Sequence, residues 1–173
     1  MTTKTGALAI GLAVGALMAL APATQAQQAT ELGTFNAWTA WSAKDATGQI
    51  CFVSSQPQKS EPTGVTRSPI NFLVVHRKDL GVSNEVQVQY GYPLHNSNPN
   101  VSVSVDGKSY QLVAVGEGGW LARQEQEPEF VASMKAGNQM VVRGTSQRGT
   151  NTVDTYSLSG ATAAMNAIDA ACQ

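Results

Sequence analysis

The stretch VQVQYGYPLHNSNPNVSVSVDGKSYQLVAV, residues Val86 to Val115, decides how the rest of this chain is read. Near its two ends, Val86-Gln87-Val88-Gln89-Tyr90 and Val101-Ser102-Val103-Ser104-Val105 alternate apolar and polar residues without a break. A strand sends successive side chains to opposite faces, so strict alternation marks a sheet with one face in the core and one in water. Asp106-Gly107 separates the second run from KSYQLVAV, and that dipeptide suits the positive φ of a tight hairpin turn. The chain is therefore read as mostly strand.

The pattern extends in both directions. INFLVV, Ile70 to Val75, is apolar on both faces and predicts a strand in a sheet centre. GQICFVSS, NQMVVRGTS and the opening TFNAWTAW add further strands, separated by Gly, Pro and Asn clusters. SQPQKSEPTGVTRSP, Ser55 to Pro69, carries three prolines and reads as a surface loop or an edge crossover. Two short helices interrupt the strands. Pro128 suits a first helical position, Glu127 and Glu129 favour the positive helix end, Phe130 and Met134 share a face, and Gly137 terminates it. In ATAAMNAIDAAC, residues Ala161, Ala164, Met165, Ile168 and Cys172 fall on one helical stripe, which turns Cys172 toward the core. About eight or nine short strands with frequent turns predict a β-sandwich rather than an α/β fold.

The first 26 of the 173 residues read as an export signal. Lys4 gives the positive start, Gly6 to Ala21 is uncharged, and Thr24-Gln25-Ala26 offers small residues for cleavage ahead of Gln27. An uncharged run of that length falls short of the roughly 20 residues that span a bilayer, so no transmembrane anchor is expected after cleavage. Residues 27–173 suit a single domain. Removing Lys4 from 11 Lys and Arg leaves 10 against 12 Asp and Glu, a charge of −2 without long runs of either sign. That balance argues against nucleic acid as a partner. Cys51 and Cys172 have only each other for an intramolecular bridge in an oxidising compartment, and the two-cysteine pattern suits neither a metal site nor a C-x-x-C redox pair.

Catalytic patterns are scarce. His76, beside Arg77 and Lys78, and His95, in HNSNPN, lack Cys or carboxylate partners at ligand spacing and read as surface residues. There is no G-x-S-x-G, H-E-x-x-H or P-loop, and Gly116-Glu117-Gly118-Gly119 reads as a turn. Trp38, Trp41 and Trp120 read as core or rim packing, with a ligand groove as the alternative. RGTSQRGTNTVDTYSLSG, Arg143 to Gly160, predicts a hairpin turning at Gln147, Arg148 and Gly149. Its sharper reading pairs Arg148 with Asp154, or turns Arg143 and Arg148 toward an anionic partner. Arg143, Arg148, Asp154 and Tyr156 are accordingly the candidate binding residues. An enzyme would gather Asp154, Tyr156, His95 and Arg148 in one cleft, whereas a glycan or small-ligand binder would use Tyr92, Asn96, Asn98 and Asn100.

With NEVQVQYGYPL, VSVDGKSYQL, the Trp120 region, MKAGNQMVV, RGTSQRGTNTVDTYSLSGATAA and IDAAC in this order, the chain resembles the invasion-associated locus B (IalB) family of exported bacterial proteins. The resemblance implies an immunoglobulin-like β-sandwich in the periplasm or envelope, with surface exposure or secretion as alternatives. It also implies an association with host-cell invasion in pathogenic members. It brings no catalytic residues and no cofactor. The resulting expectation is a non-enzymatic binding or structural module whose partner is an unknown protein or envelope component.

Overall fold

The computed structural model describes residues 28–172, so the expected export signal at 1–26 lies outside the described residues. Within them, eleven strands hydrogen-bond in a single order. They are β1 (Thr30–Phe35), β2 (Trp38–Asp45), β3 (Gly48–Ser55), β4 (Lys59–Glu61), β5 (Asn71–Arg77), β6 (Val82–Gln89), β7 (Ser102–Val105), β8 (Lys108–Val115), β9 (Gly118–Leu121), β10 (Gln139–Thr145) and β11 (Asn151–Ser157). The order is β1-β2-β3-β5-β6-β9-β8-β7-β10-β11-β4, and each ladder is antiparallel.

One strand joins the two halves of this order. Lys108–Gln111 of β8 pair with β7, and Leu112–Val115 pair with β9. The halves face one another across a common core. Phe72 of β5 meets Tyr156 of β11 with ring centroids 6.0 Å apart, and Trp38 of β2 donates its indole N–H to the Ser157 carbonyl at 2.9 Å. Trp38 and Phe72 are both fully buried. The mainly β expectation holds, and β5 lies centrally between β3 and β6 as its two-sided apolar pattern requires.

The turns follow local chemistry. Asp106 and Gly107 adopt φ of 44° and 90° between β7 and β8, the left-handed pair that a two-residue hairpin needs. TFNAWTAW is not one strand: Asn36, at φ 52°, turns β1 onto β2 and pairs Phe35 with Trp38. Asn tolerates this conformation better than other non-glycine residues. The proline-rich stretch is an edge crossover, since β4 within it pairs with β11 at the end of the order.

The α-helices among the described residues are α1 (Glu127–Ala136) and α2 (Ala161–Ala171). Phe130 and Met134 are buried on α1, and the stripe Ala161, Ala164, Met165 and Ile168 is buried on α2. α2 packs on β1, β2 and β3, where Cys172 forms a disulfide with Cys51. No described helix is long and apolar enough to cross a membrane.

The outer faces of the two halves differ. Around β7, β10 and β11 the outward residues include Ser102, Ser104, Arg143, Thr155 and Ser157. Around β2 to β9 they include Trp41, Phe52, Leu73 and Trp120, which follow the strand alternation opposite the core residues, with Val75 on the same side but covered by its neighbours at 4% exposure.

Candidate functional site

At one end of the sheet, four chain segments surround a cleft of about 650 Å³. They are the stretch Gly64–Ser68 after β4, the turn Gly91–Pro93 after β6, Glu117 between β8 and β9, and the tip of the β10–β11 hairpin from Ser146 to Thr150. Backbone hydrogen bonds hold them in place. Ser68 N–H reaches the Gly91 carbonyl at 2.9 Å, Tyr90 N–H the Glu117 carbonyl at 3.0 Å, and Gln147 N–H the Pro93 carbonyl at 2.8 Å. Gly91 is required here, because a Cβ at this position would lie 2.3 Å from the Ser68 oxygen. The hairpin turns as expected, with Gly149 at φ 81° and its N–H on the Ser146 carbonyl at 2.8 Å.

Beneath the cleft lies a buried ion pair. Arg67 donates from Nη1 and Nη2 to the two carboxylate oxygens of Asp154 at 2.8 and 2.7 Å, and from Nε and Nη2 to the Tyr90 carbonyl at 3.1 and 2.8 Å. Its guanidinium also lies 4.9 Å from the centre of the Tyr92 ring, whose hydroxyl is 2.6 Å from Thr152 Oγ1. The side chains of Arg67 and Asp154 are 6% and 0% exposed. Two charges can remain in such a place only with near-complete hydrogen bonding, and the planar fork of arginine meets that requirement. Burial pushes the Tyr156 hydroxyl pKa far above its usual value, and the Asp154 charge adds to the effect.

The structure separates the four candidate binding residues. Arg148 lines the cleft, while Asp154 lies under it, paired with Arg67 and not with Arg148. Arg143 points outward on β10, and only its carbonyl is engaged from within, by the Tyr90 hydroxyl at 3.0 Å. Tyr156 is in the core, and its hydroxyl makes no hydrogen bond among the described residues. His95 uses Nδ1 to accept the backbone N–H groups of Ser97 and Asn98 at 3.3 and 3.1 Å, which fixes its own loop. Asn96, Asn98 and Asn100 are exposed in that loop, and of the proposed glycan-binding set only Tyr92 lines the cleft.

Arg67 is the participant that the sequence reading missed. It stands alone in a proline-rich loop without periodicity. The usable signal was its partner, because Asp154 shares strand parity with Tyr156 and a carboxylate on an inward face requires a cation.

His76 corrects the surface expectation. It is 6% exposed at a β-bulge between β5 and β6, because the bulge brings Asn84, at φ 64°, against the ring. Nδ1 accepts the Asn84 N–H at 3.0 Å, which assigns the ring proton to Nε2 and its bond to Asp169 Oδ1 at 2.8 Å. Lys135 Nζ approaches Asp169 Oδ2 at 3.1 Å. Burial alone would raise the Asp169 pKa, but the hydrogen bonds from His76 and Lys135 outweigh it and hold the carboxyl below its usual range. Among the described residues, no group of three or more His, Cys, Asp or Glu side chains is arranged to hold a metal ion.

These features define a class: a mainly antiparallel β domain, closed by a terminal helix and a disulfide, with a polar cleft above a buried arginine–aspartate pair. A family model described as invasion associated locus B (IalB) protein matches residues 38–169, from β2 to within α2, and the chain belongs to that family. Neither the curated proteins nor the solved structures contain a match to it.

Proposed function

We propose that this IalB-family chain acts in the cell envelope after export, as a non-enzymatic module that binds a partner at the hairpin-tip cleft. The observation that carries this reading is the division of labour around Arg148. The groups an enzyme would have gathered there hold the fold instead: Asp154 neutralises Arg67, Tyr156 fills the core, and His95 caps its own loop. Arg148 and Gln147 remain exposed on the rim, with Tyr92 below them. A wall fixed by backbone hydrogen bonds, with exposed polar side chains at its edge, suits recognition. The charge pattern of residues 1–26 and the Cys51–Cys172 bridge support an oxidising, exported setting. The family description motivates the finer expectation, a contribution to contact with host cells.

The cleft volume also lies within the range of small-ligand pockets, so a small envelope ligand is the second reading. One experiment addresses both. A photo-crosslinking residue replacing Gln147 in living cells should give a defined adduct in the periplasmic fraction, and Arg148→Ala should reduce it at least tenfold. Replacement at Asn166, on α2, should give none. A cytoplasmic location, or equal labelling from both positions, would overturn the proposal.

A further inference from the structure

The outer face of the first half of the sheet departs from the usual pattern of an apolar inside and a polar outside. Instead, one polar column lies between apolar residues of its neighbours. Along β6 run Glu85, Gln87 and Gln89, with Leu73 and Val75 on one side and Trp120 and Val113 on the other. Val113 and Val115 are 50% and 63% exposed, so the apolar side reaches solvent. The Trp120 indole lies along the face. A Cβ at Gly118 would meet the Trp120 ring at 2.4 Å, so that glycine lets the indole rest flat on the strand. Trp41 is stacked on Phe52 with 19° between ring planes, and its Nε1 donates to Ser54 Oγ at 2.9 Å.

We propose that this face binds an extended, uncharged glycan, with Trp41 and Trp120 stacking on sugar rings and Glu85, Gln87 and Gln89 hydrogen-bonding their hydroxyls. Four strand spacings separate β2 from β9, about 19 Å, a span that suits an oligosaccharide of several units. The C–H faces of a sugar are weakly positive and meet the negative face of an indole, while its hydroxyls both donate and accept. The side chains on β6 are already partly ordered for this role. The Gln87 amide donates to Glu85, and Asn71 Nδ2 donates to Gln89 Oε1 at 3.1 Å.

Charge selects among occupants. Glu31 lies beside Trp41 and Glu85 lies in the central column, whereas Arg77 is paired with Asp45 at 3.2 Å. That acidity repels an anionic lipid or an acidic polysaccharide. A second copy packed face to face would bury Glu85 with its counterpart nearby, and an apolar protein surface would leave the amides unpaired at a cost. An uncharged polyol satisfies both the rings and the polar column.

This site is separate from the hairpin-tip cleft, and its test is independent. The full mature chain is titrated with chitotetraose, cellotetraose and a hyaluronan tetrasaccharide, followed by calorimetry and tryptophan fluorescence, with sedimentation to read the oligomeric state. At least one uncharged tetraose should bind and the acidic one should not. Trp120→Ala and Gln87→Ala should each weaken binding at least tenfold, and Arg148→Ala should leave it unchanged. Should Trp120→Ala fail to fold, Gln87→Ala with an unaltered melting curve carries the test. The proposal is overturned by absence of binding to both uncharged sugars, by affinity unaffected in Gln87→Ala, or by a dimer that Trp120→Ala converts to monomer.

Discussion

Two aspartates near opposite ends of β6 receive nitrogen donors in different ways. At the Tyr90 end, Asp154 is 0% exposed and both of its oxygens are taken by one arginine. At the Asn84 end, the Asp169 side chain is 41% exposed and divides its oxygens between His76 and Lys135. Both join residues far apart in sequence, so both tie the fold together. The dry pair has no substitute if one member is lost, whereas water can replace a donor at the wet one. Burial, more than the number of hydrogen bonds, therefore sets the consequence of breaking each.

The largest effect should come from the dry pair. Arg67→Ala leaves the Asp154 charge buried without its counter-ion and should cost about 3–5 kcal/mol in chemical denaturation. Arg67→Met combined with Asp154→Leu should cost much less than the sum of the single changes, because no isolated charge remains. Additive costs would mean that the two residues act separately. Next comes the covalent link near the wet end. Replacing Cys51 and Cys172 with Ala should lower stability by roughly 2–4 kcal/mol, read from the denaturation midpoint.

Asp169→Asn should cost less, about 1 kcal/mol or below, because solvent screens the partly exposed carboxylate. Its pH dependence follows from the lowered pKa. The stabilisation is present above the ordinary value of 3.8 and is lost as the pH falls through the lower folded-state value. Melting curves of wild type and variant should therefore converge in strong acid. A gap unchanged down to such pH would assign the effect to packing.

The smallest change should have the opposite sign. Glu127 begins α1 in a buried position, and desolvation raises its pKa above the ordinary 4.5, with Glu85 adding repulsion. A raised folded-state value means that the ionised form opposes folding at neutral pH, and that this cost fades as the pH falls through the raised value. Glu127→Gln should stabilise the domain at pH 7 by up to about 1 kcal/mol, with the advantage disappearing in acid. A loss of stability at pH 7 would show that the carboxylate is needed at the helix start.

The contrast between the two aspartates also marks what the sequence could reveal. Alternation exposed β6 and β7, and the spacing of Met165 and Ile168 on α2 with Cys172 just past its end pointed to the disulfide, because these features depend on local periodicity. Asp154 was recognisable as a charge within a strand, but its nearest arginine in sequence was the wrong partner. The true one arrives from a loop 87 positions away. His76 read as exposed because Arg77 and Lys78 flank it, and no local pattern announces the bulge that turns it inward. Trp41 and Trp120 read as packing residues, while their arrangement on one outer face depends on strand order. Strand order is set by the whole sheet.

The position of β4 bears on how the domain is made. Its partner on the sheet is β11, so Lys59–Glu61 must wait for residues 153–155 before they have anything to pair with. Arg67 must wait for Asp154 in the same way. Closing such distant contacts is slow, and topologies rich in them fold in milliseconds to seconds. A chain emerging from its amino end could complete the β1–β2–β3 meander early, but it would keep its proline-rich segment and a charged arginine unsatisfied until the last described strand arrived. Until that ladder forms, an incomplete copy carries an open strand edge and an unpaired charge.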